Sequence, residues 1–187
     1  QSCCATGKRF AHLWMHNGFV NIDDEKMSKS LGNFFTVREV LKVYRPEVIR
    51  FFILSSHYRS QLNYSDSQLE EAKASLEGLY IALRDVSSDG GDIDKAYLEK
   101  FNEVMDDDFN TVRAVAILHE LAKEINRAKD KTRTEVKNLA TTLKHLGSIL
   151  GLLQSDPAEH LQSGVGEAGL SNDKIESLIE RRTQARK

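Results

Sequence analysis

Lys26-Met27-Ser28-Lys29-Ser30-Leu31-Gly32-Asn33 is the stretch from which the rest of the chain is read. It follows an acidic triplet, Asp23-Asp24-Glu25, and precedes an aromatic pair, Phe34-Phe35. Its small polar residues make a poor strand and a poor helix, so it reads as a mobile loop. Two ammonium groups, two hydroxyls and accessible backbone N–H groups share one small volume there. Phosphate oxygens are bound by that set of fixed positive charge and short donors.

Working outward, His12-Leu13-Trp14-Met15-His16-Asn17-Gly18-Phe19-Val20-Asn21-Ile22 is rich in aromatic and β-branched residues. Asn17-Gly18 between apolar flanks predicts a hairpin, with one or two short strands leading into the lysine loop. Upstream, Ala5, Phe10 and Ala11 suggest the end of a helix. On the other side of the loop, Thr36 with Glu39 three residues on forms a capping box, opening a helix with Val37, Val40, Leu41 and Tyr44 on one face. Arg45-Pro46 stops it, and Pro46 suits the first turn of the next helix, to about Ser56. That helix carries Val48, Ile49, Phe51, Phe52, Ile53 and Leu54, apolar nearly all round, and is expected to be buried.

Past a polar-aromatic connector at 57–64, Ser65 and Gln68 suggest a second capping box. Leu69, Ala72, Leu76, Leu79, Tyr80 and Leu83 then repeat at helical spacing. Ser87–Asp92 is a loop. A shorter helix carries Tyr97, Phe101, Val104 and Met105. A long one to about Ala128 is built on Val112, Val115, Leu118, Ala122 and Ile125. Another, about 134–153, carries Val136, Leu139, Ala140, Leu143, Leu146, Leu150 and Leu153. Residues 154–171 read as a flexible linker, and a last helix starts near Asn172. Helices of this length joined by short turns favour an antiparallel bundle. The fold class expected is mainly α, with short strands at the front. The domains read as 1–65 with the lysine loop, 66–153 as a helical bundle, and 154–187 as a linker and the start of a helix.

With 40% hydrophobic and 29% charged residues, the composition is that of an ordinary globular protein. No apolar run reaches the roughly 20 residues needed to span a bilayer, so no membrane partner is expected. The first residues lack the charged start and apolar core of a secretory signal. Cys3 and Cys4 are adjacent and cannot staple a fold, which points to a reducing, cytoplasmic setting. The absence of an initial Met suggests a piece of a longer protein. Residues 1–65 hold 9 Lys and Arg against 5 Asp and Glu, whereas 66–187 hold 17 against 23. The front is therefore the better place for an anionic ligand, and any RNA contact further on requires local basic patches.

Lys26-Met27-Ser28-Lys29-Ser30 matches, letter for letter, the KMSKS motif of class I aminoacyl-tRNA synthetases. Together with Trp14–Val20, Lys26–Phe35, Arg50–Tyr64 and Met105–Thr111, the chain resembles cysteinyl-tRNA synthetase over essentially its whole length. The resemblance implies the end of a Rossmann-type α/β catalytic domain followed by a helical bundle on the tRNA side. The activity it implies is ATP-dependent activation of cysteine as cysteinyl-adenylate, release of pyrophosphate and transfer to tRNA(Cys). ATP with magnesium, cysteine and tRNA(Cys) are the implied ligands, and DNA is not one of them. By motif position Lys29 is the first choice for the ATP phosphates and Lys26 the second, both as catalytic and ATP-binding residues. Ser28 and Ser30 follow as hydroxyl donors or loop-shaping residues. Met27 is expected to pack the loop down. The family's zinc is implied to have its ligands upstream of Gln1, so no metal site is expected here. The upstream ATP motif and the C-terminal anticodon region are likewise not in this chain, which by itself is not expected to aminoacylate.

For Trp14–Val20 two readings stand side by side, a border of the adenine site, with His16 and Asn17 foremost, and a core strand. Asp106-Asp107-Asp108 is read as helix capping and dipole complementation rather than a cation site. The basic residues Arg127, Lys129, Lys131 and Arg133, and the group Arg181, Arg182, Arg186 and Lys187, are either tRNA-facing or solvated. Two rival functions remain, a related ligase joining cysteine to an amino sugar and a non-enzymatic RNA-binding helical module.

Overall fold

The computed structural model describes residues 1–22, 25–26, 36–88, 90–128, 133–162, 177, 181, 182 and 184. The chain begins with a short helix, α1 (Ser2–Thr6), and a three-stranded sheet formed by β1 (Val20–Ile22), β2 (Glu25–Lys26) and β3 (Leu62–Tyr64). Between β2 and β3 come α2 (Val37–Val40) and α3 (Pro46–Leu54). Four longer helices follow, α4 (Asp66–Leu83), α5 (Lys95–Asp106), α6 (Thr111–Ala128) and α7 (Arg133–Ile149), then the short α8 (Pro157–Gln162). The protein is thus mainly helical, with a small sheet at its front and a helical bundle behind.

The helices start where side chains satisfy their first N–H groups. Thr36 and Glu39 form the full reciprocal box, Glu39 N donating to Thr36 Oγ1 and Thr36 N to Glu39 Oε2. Ser65 accepts from Gln68 N, and Asp94 accepts from Ala96 N and Tyr97 N. Pro46 sits in the first turn of α3, where its missing N–H costs nothing. Leu69, Leu76, Leu79 and Tyr80 of α4 are sealed from solvent together with Phe101 of α5, Leu118, Leu121 and Ile125 of α6, and Leu143 and Leu146 of α7. Each such leucine contributes about 1.5–3 kcal/mol relative to exposure. α6 touches α4, α5 and α7 and is the central element. The buried cluster is continuous with Val48, Phe51 and Phe52 of α3, so the front helices share one core with the bundle.

The structure departs from the expectations at several points. Asn17-Gly18 does not turn a hairpin. β1 pairs instead with β2 in antiparallel register, Asn21 opposite Lys26 and Ile22 opposite Glu25. α2 is a single turn, closed by Leu41 N and Tyr44 N bonding back to Val37 O and Val40 O. α3 is not buried all round, Ile53 being 52% exposed, because it packs on α4 with one face only. Val112, assigned to the α6 core stripe, is exposed in the first turn. α7 ends at Ile149, and Leu150 and Leu153 reach the core from the turn that follows, Leu152 N bonding Gly147 O. Within the stretch read as a linker, Pro157–Gln162 is helical, with Asp156 Oδ1 accepting from Ala158 N and Glu159 N. The expectation of a last helix near Asn172 falls mostly outside the described residues, of which Ser177, Arg181, Arg182 and Gln184 are helical.

Candidate functional site

The sheet places the end of the lysine motif. β1 is the middle strand, antiparallel to β2 and parallel to β3, with Val20 opposite Leu62, Asn21 opposite Asn63 and Ile22 opposite Tyr64. Val20 and Ile22 are β-branched and favour this extended backbone. Lys26 therefore ends a strand whose partner, Asn21, is itself fixed by a 3.3 Å bond from its Nδ2 to Gln61 Oε1. On the far side of the motif, Thr36 is held at the start of α2 by its capping box. Hydrogen bonds from Thr36, first from its backbone N–H and then from its hydroxyl, hold the Glu39 carboxyl below the usual carboxylate range. Both ends of the candidate phosphate loop are thus anchored. Met27, Ser28, Lys29 and Ser30 themselves lie outside the described residues.

Gly18 is explained by what approaches it. Its N–H donates to Tyr58 O at 2.7 Å, and a Cβ built there would lie 1.9 Å from Ser60 O. Only a residue without a Cβ lets the 57–60 connector run this close. Gly18→Ala is expected to displace the connector and to lower stability by about 1–3 kcal/mol, the usual cost of forcing atoms into a packed position. Chemical denaturation reads this, and a midpoint equal to wild type would show that the connector yields freely.

The connector is tied on its other side to the bundle. Asp108, in the turn between α5 and α6, accepts from Tyr58 Oη at 2.6 Å, from Arg59 Nε at 2.6 Å and from Arg59 Nη2 at 3.1 Å. His57 Nε2 lies 3.2 Å from Asp108 O, and the His57 ring stacks on Tyr58 at 5.0 Å. The Arg59 and Tyr58 bonds pull the Asp108 carboxyl down to about 2. This corrects the capping role expected for the acidic triplet. Asn110, not Asp108, caps α6, accepting from Arg113 N at 3.2 Å. Asp107 lies 3.9 Å from Arg113.

A second junction forms where α8 meets α3 and α4. Glu47 Oε2 accepts from Tyr80 Oη at 2.8 Å, and Glu47 Oε1 accepts from Leu153 N. The His160 ring stacks on Tyr80 with centroids 3.7 Å apart, and its Nδ1 is 3.7 Å from Glu47 Oε2. Burial, then the Glu47 bond, pushes the Tyr80 hydroxyl up to about 12. Burial, then the Arg45 cation, pushes the His160 imidazole down against the pull of Glu47 and Glu77. His119, bonded to Ser75 at 3.0 Å, is lowered mainly by burial and then by Lys123.

Both imidazoles are thus shifted toward their neutral form in the folded protein, while the unfolded chain takes up protons below about pH 6.5. Their contribution is complete above that pH and is lost as pH falls toward the lowered folded values. Melting temperature is expected to be higher at pH 7.5 than at pH 5.0, and His160→Phe, which keeps a ring against Tyr80, should narrow that gap. A gap of unchanged size in the variant would remove His160 as a cause.

The remaining candidates are not brought together. His16 and Asn17 are exposed in a stretch without regular secondary structure, as are Phe10 and Trp14, whose rings lie 5.6 Å apart. Trp14 is 68% exposed and is therefore no core side chain among the described residues. Cys3 and Cys4 are exposed free thiols. Arg127 pairs with Glu124 at 2.9 Å, and nothing is described for Lys129, Lys131, Arg186, Lys187 or the Arg133 side chain. Among the described residues no cluster of His, Cys, Asp and Glu is arranged to hold a metal, so these residues do not fit the zinc implied by the family. No helix among them is long and apolar enough to cross a membrane. Sequence reasoning missed Tyr58, Arg59, Asp108, Glu47 and His160. The available clue for Asp108 was an Asp-Phe-Asn-Thr run in which Asn110, directly before α6, is the natural cap.

Comparison with known proteins agrees with this layout. A family model described as the class I (C) tRNA synthetase catalytic domain matches residues 1–74. A second, the DALR domain, matches residues 100–154. The chain is 55% identical over 192 residues to a cysteine–tRNA ligase of Methylococcus capsulatus, covering all of this chain and 41% of that protein. It is 50% identical to the cysteine–tRNA ligase of Chromohalobacter salexigens and 53% identical to that of Chromobacterium violaceum, over all of this chain in both cases. It spans about two fifths of the length of these relatives. With a catalytic-domain match at the front, a DALR match over the bundle and this identity along the whole chain, the protein is similar throughout its length to one part of the class I cysteine–tRNA ligases.

Proposed function

We propose that this chain forms part of an ATP-dependent cysteine–tRNA ligase, which activates cysteine as cysteinyl-adenylate and transfers it to tRNA(Cys). The observation that carries the reading is the identity to cysteine–tRNA ligases over the full chain, alongside the strand end at Lys26 and the capped turn at Thr36 that bracket the lysine motif. Residues 1–65 serve as the end of the catalytic domain, 66–153 as the bundle facing tRNA, and 154–187 as a linker with the start of a further helix.

In the activation step the cysteine carboxylate attacks the α-phosphate and pyrophosphate departs. Negative charge grows on the leaving group. Cations already aimed at it lower the barrier when they engage the transition state more strongly than ground-state ATP. Lys29 supplies the principal ammonium and Lys26 the second, with Ser28 and Ser30 donating hydroxyl bonds or shaping the loop. Magnesium, when bound, would neutralise phosphate charge. The two exposed, unbonded thiols support a reducing, cytoplasmic location.

The test is cysteine-dependent ATP–pyrophosphate exchange by the full-length protein that carries this chain, followed by acceptor assays. Exchange plus charging of tRNA(Cys) is expected, whereas residues 1–187 alone should turn over no ATP. Exchange with transfer to an amino sugar would replace tRNA as the acceptor. Binding of tRNA with no ATP turnover would leave an RNA-binding module.

A further inference from the structure

Tyr58 bridges two parts of the molecule with its two polar ends. Its hydroxyl donates to Asp108 in the bundle at 2.6 Å, and its carbonyl accepts from Gly18 N at 2.7 Å just before β1. Arg59 adds two bonds to the same carboxylate, and its guanidinium lies 5.1 Å from the Tyr58 ring centroid. Four residues further along, Leu62 N donates to Phe19 O at 2.9 Å, beginning the β3–β1 pairing. The 57–62 connector is therefore pinned to the α5–α6 turn on one side and to Gly18 and Phe19 on the other. The turn is itself committed to this geometry. Asp108 and Phe109 both have φ of 54°, a left-handed backbone that residues with a Cβ hold at a cost and usually where surrounding contacts enforce it.

An exposed ion pair contributes little to global stability. Asp108 is 43% exposed and Arg59 61%, so this cluster is poorly suited to holding the whole fold together. Its bidentate geometry, with the third bond from Tyr58, instead fixes a direction and a distance. We propose that Asp108 is a positioning residue for the activation step: it locks the connector to the bundle and thereby holds β1, and the Lys26 backbone paired to it, in the register the reaction needs. The idea rests on the ligase reading. It gives the bundle, the tRNA-side part of the protein in that reading, a mechanical link to the nucleotide strand through Asp108, Tyr58 and Gly18. A misplacement of about 1 Å in such a link is enough to lower a rate by up to about 100-fold without touching substrate affinity.

The test combines an activity measurement with one that needs no activity. In the full-length protein, Asp108→Ala is expected to lower kcat for cysteine-dependent ATP–pyrophosphate exchange by about tenfold or more with the KM for ATP within about twofold, and Asp108→Glu to recover part of the loss. Arg59→Ala should give a smaller loss that is not additive with Asp108→Ala. By hydrogen exchange, the amides of Gly18 and Leu62 should open faster in Asp108→Ala, while those of Leu118 and Leu121 in α6 keep wild-type protection. A wild-type kcat in Asp108→Ala, unchanged exchange at Gly18, or protection lost equally in α6 would each overturn the positioning role. Wild-type protein without cysteine-dependent exchange would instead overturn the ligase reading, and the Gly18 and Leu62 amides would still decide whether Asp108 holds β1.

Discussion

Lys29→Ala in the full-length protein should, on the proposed ligase function, lower cysteine-dependent ATP–pyrophosphate exchange by about 10²–10³-fold, equivalent to about 2.7–4 kcal/mol of transition-state stabilisation. The KM for ATP should change far less. The asymmetry follows from where the charge is. Ground-state ATP already has its phosphate charge partly neutralised by solvent and cation. The departing pyrophosphate gains charge only as the P–O bond breaks, so an ammonium that engages late acts on kcat rather than on binding. Lys29→Arg keeps the charge but replaces a compact ammonium with a planar fork, and should recover only part of the rate. Lys26→Ala should cost less than Lys29→Ala. An exchange rate equal to wild type in Lys29→Ala would remove this residue from the chemistry.

Leu118→Ala should lower unfolding stability by about 3 kcal/mol, within the 2–5 kcal/mol typical of leucine truncation in a core. Leu118 is fully buried in α6, the helix against which α4, α5 and α7 all pack. No single neighbour can relax into the space from all these sides, so most of the cavity should persist. Against a total stability of about 5–15 kcal/mol, this is a large fraction. For a chain of this size it corresponds to a fall in Tm of about 6–12 °C. A thermal or denaturant melt measures it directly, and a shift under about 2 °C would mean that α6 is not the centre of the core.

Helix-level structure was the most legible part of the sequence. Leu69, Ala72, Leu76, Leu79, Tyr80 and Leu83 recur at helical spacing, and all are buried on α4. Thr36–Glu39 carries its own geometry in two residue types three apart, and the capping box formed as expected. Two of the misreadings share a cause, each assigning to a local turn a residue that serves a distant partner. Gly18 follows Asn17 as in a hairpin, yet it is required by Ser60, more than forty residues away. Asp108 sits near a helix start, yet its carboxylate belongs to Tyr58 and Arg59. Six residues at 157–162 are too few for a stable isolated helix, and their periodicity is correspondingly silent. They are ordered by His160 stacking on Tyr80 from another part of the chain. For the site, the motif letters propose the lysines and mark the turn at Asp108, but do not show what that turn holds. That turn depends on a pairing across about fifty positions, which no local pattern contains.

The shared core of α3 and the bundle bears on how such proteins can be recombined. Val48, Phe51 and Phe52 belong to the same buried cluster as Leu76 and Leu118, and Glu47 binds both Tyr80 and the Leu153 amide. A chimera between two relatives that joins one parent's α3 to the other's α4 would pair mismatched surfaces at its centre. A crossover placed ahead of Thr36 would keep α2 and α3 with the helices they pack on, but would divide β1 from β3 and Gly18 from the connector that passes against it. The helical packing unit thus begins at α2 and carries part of the catalytic-domain match with it, while the strand pairing ties it back to β1.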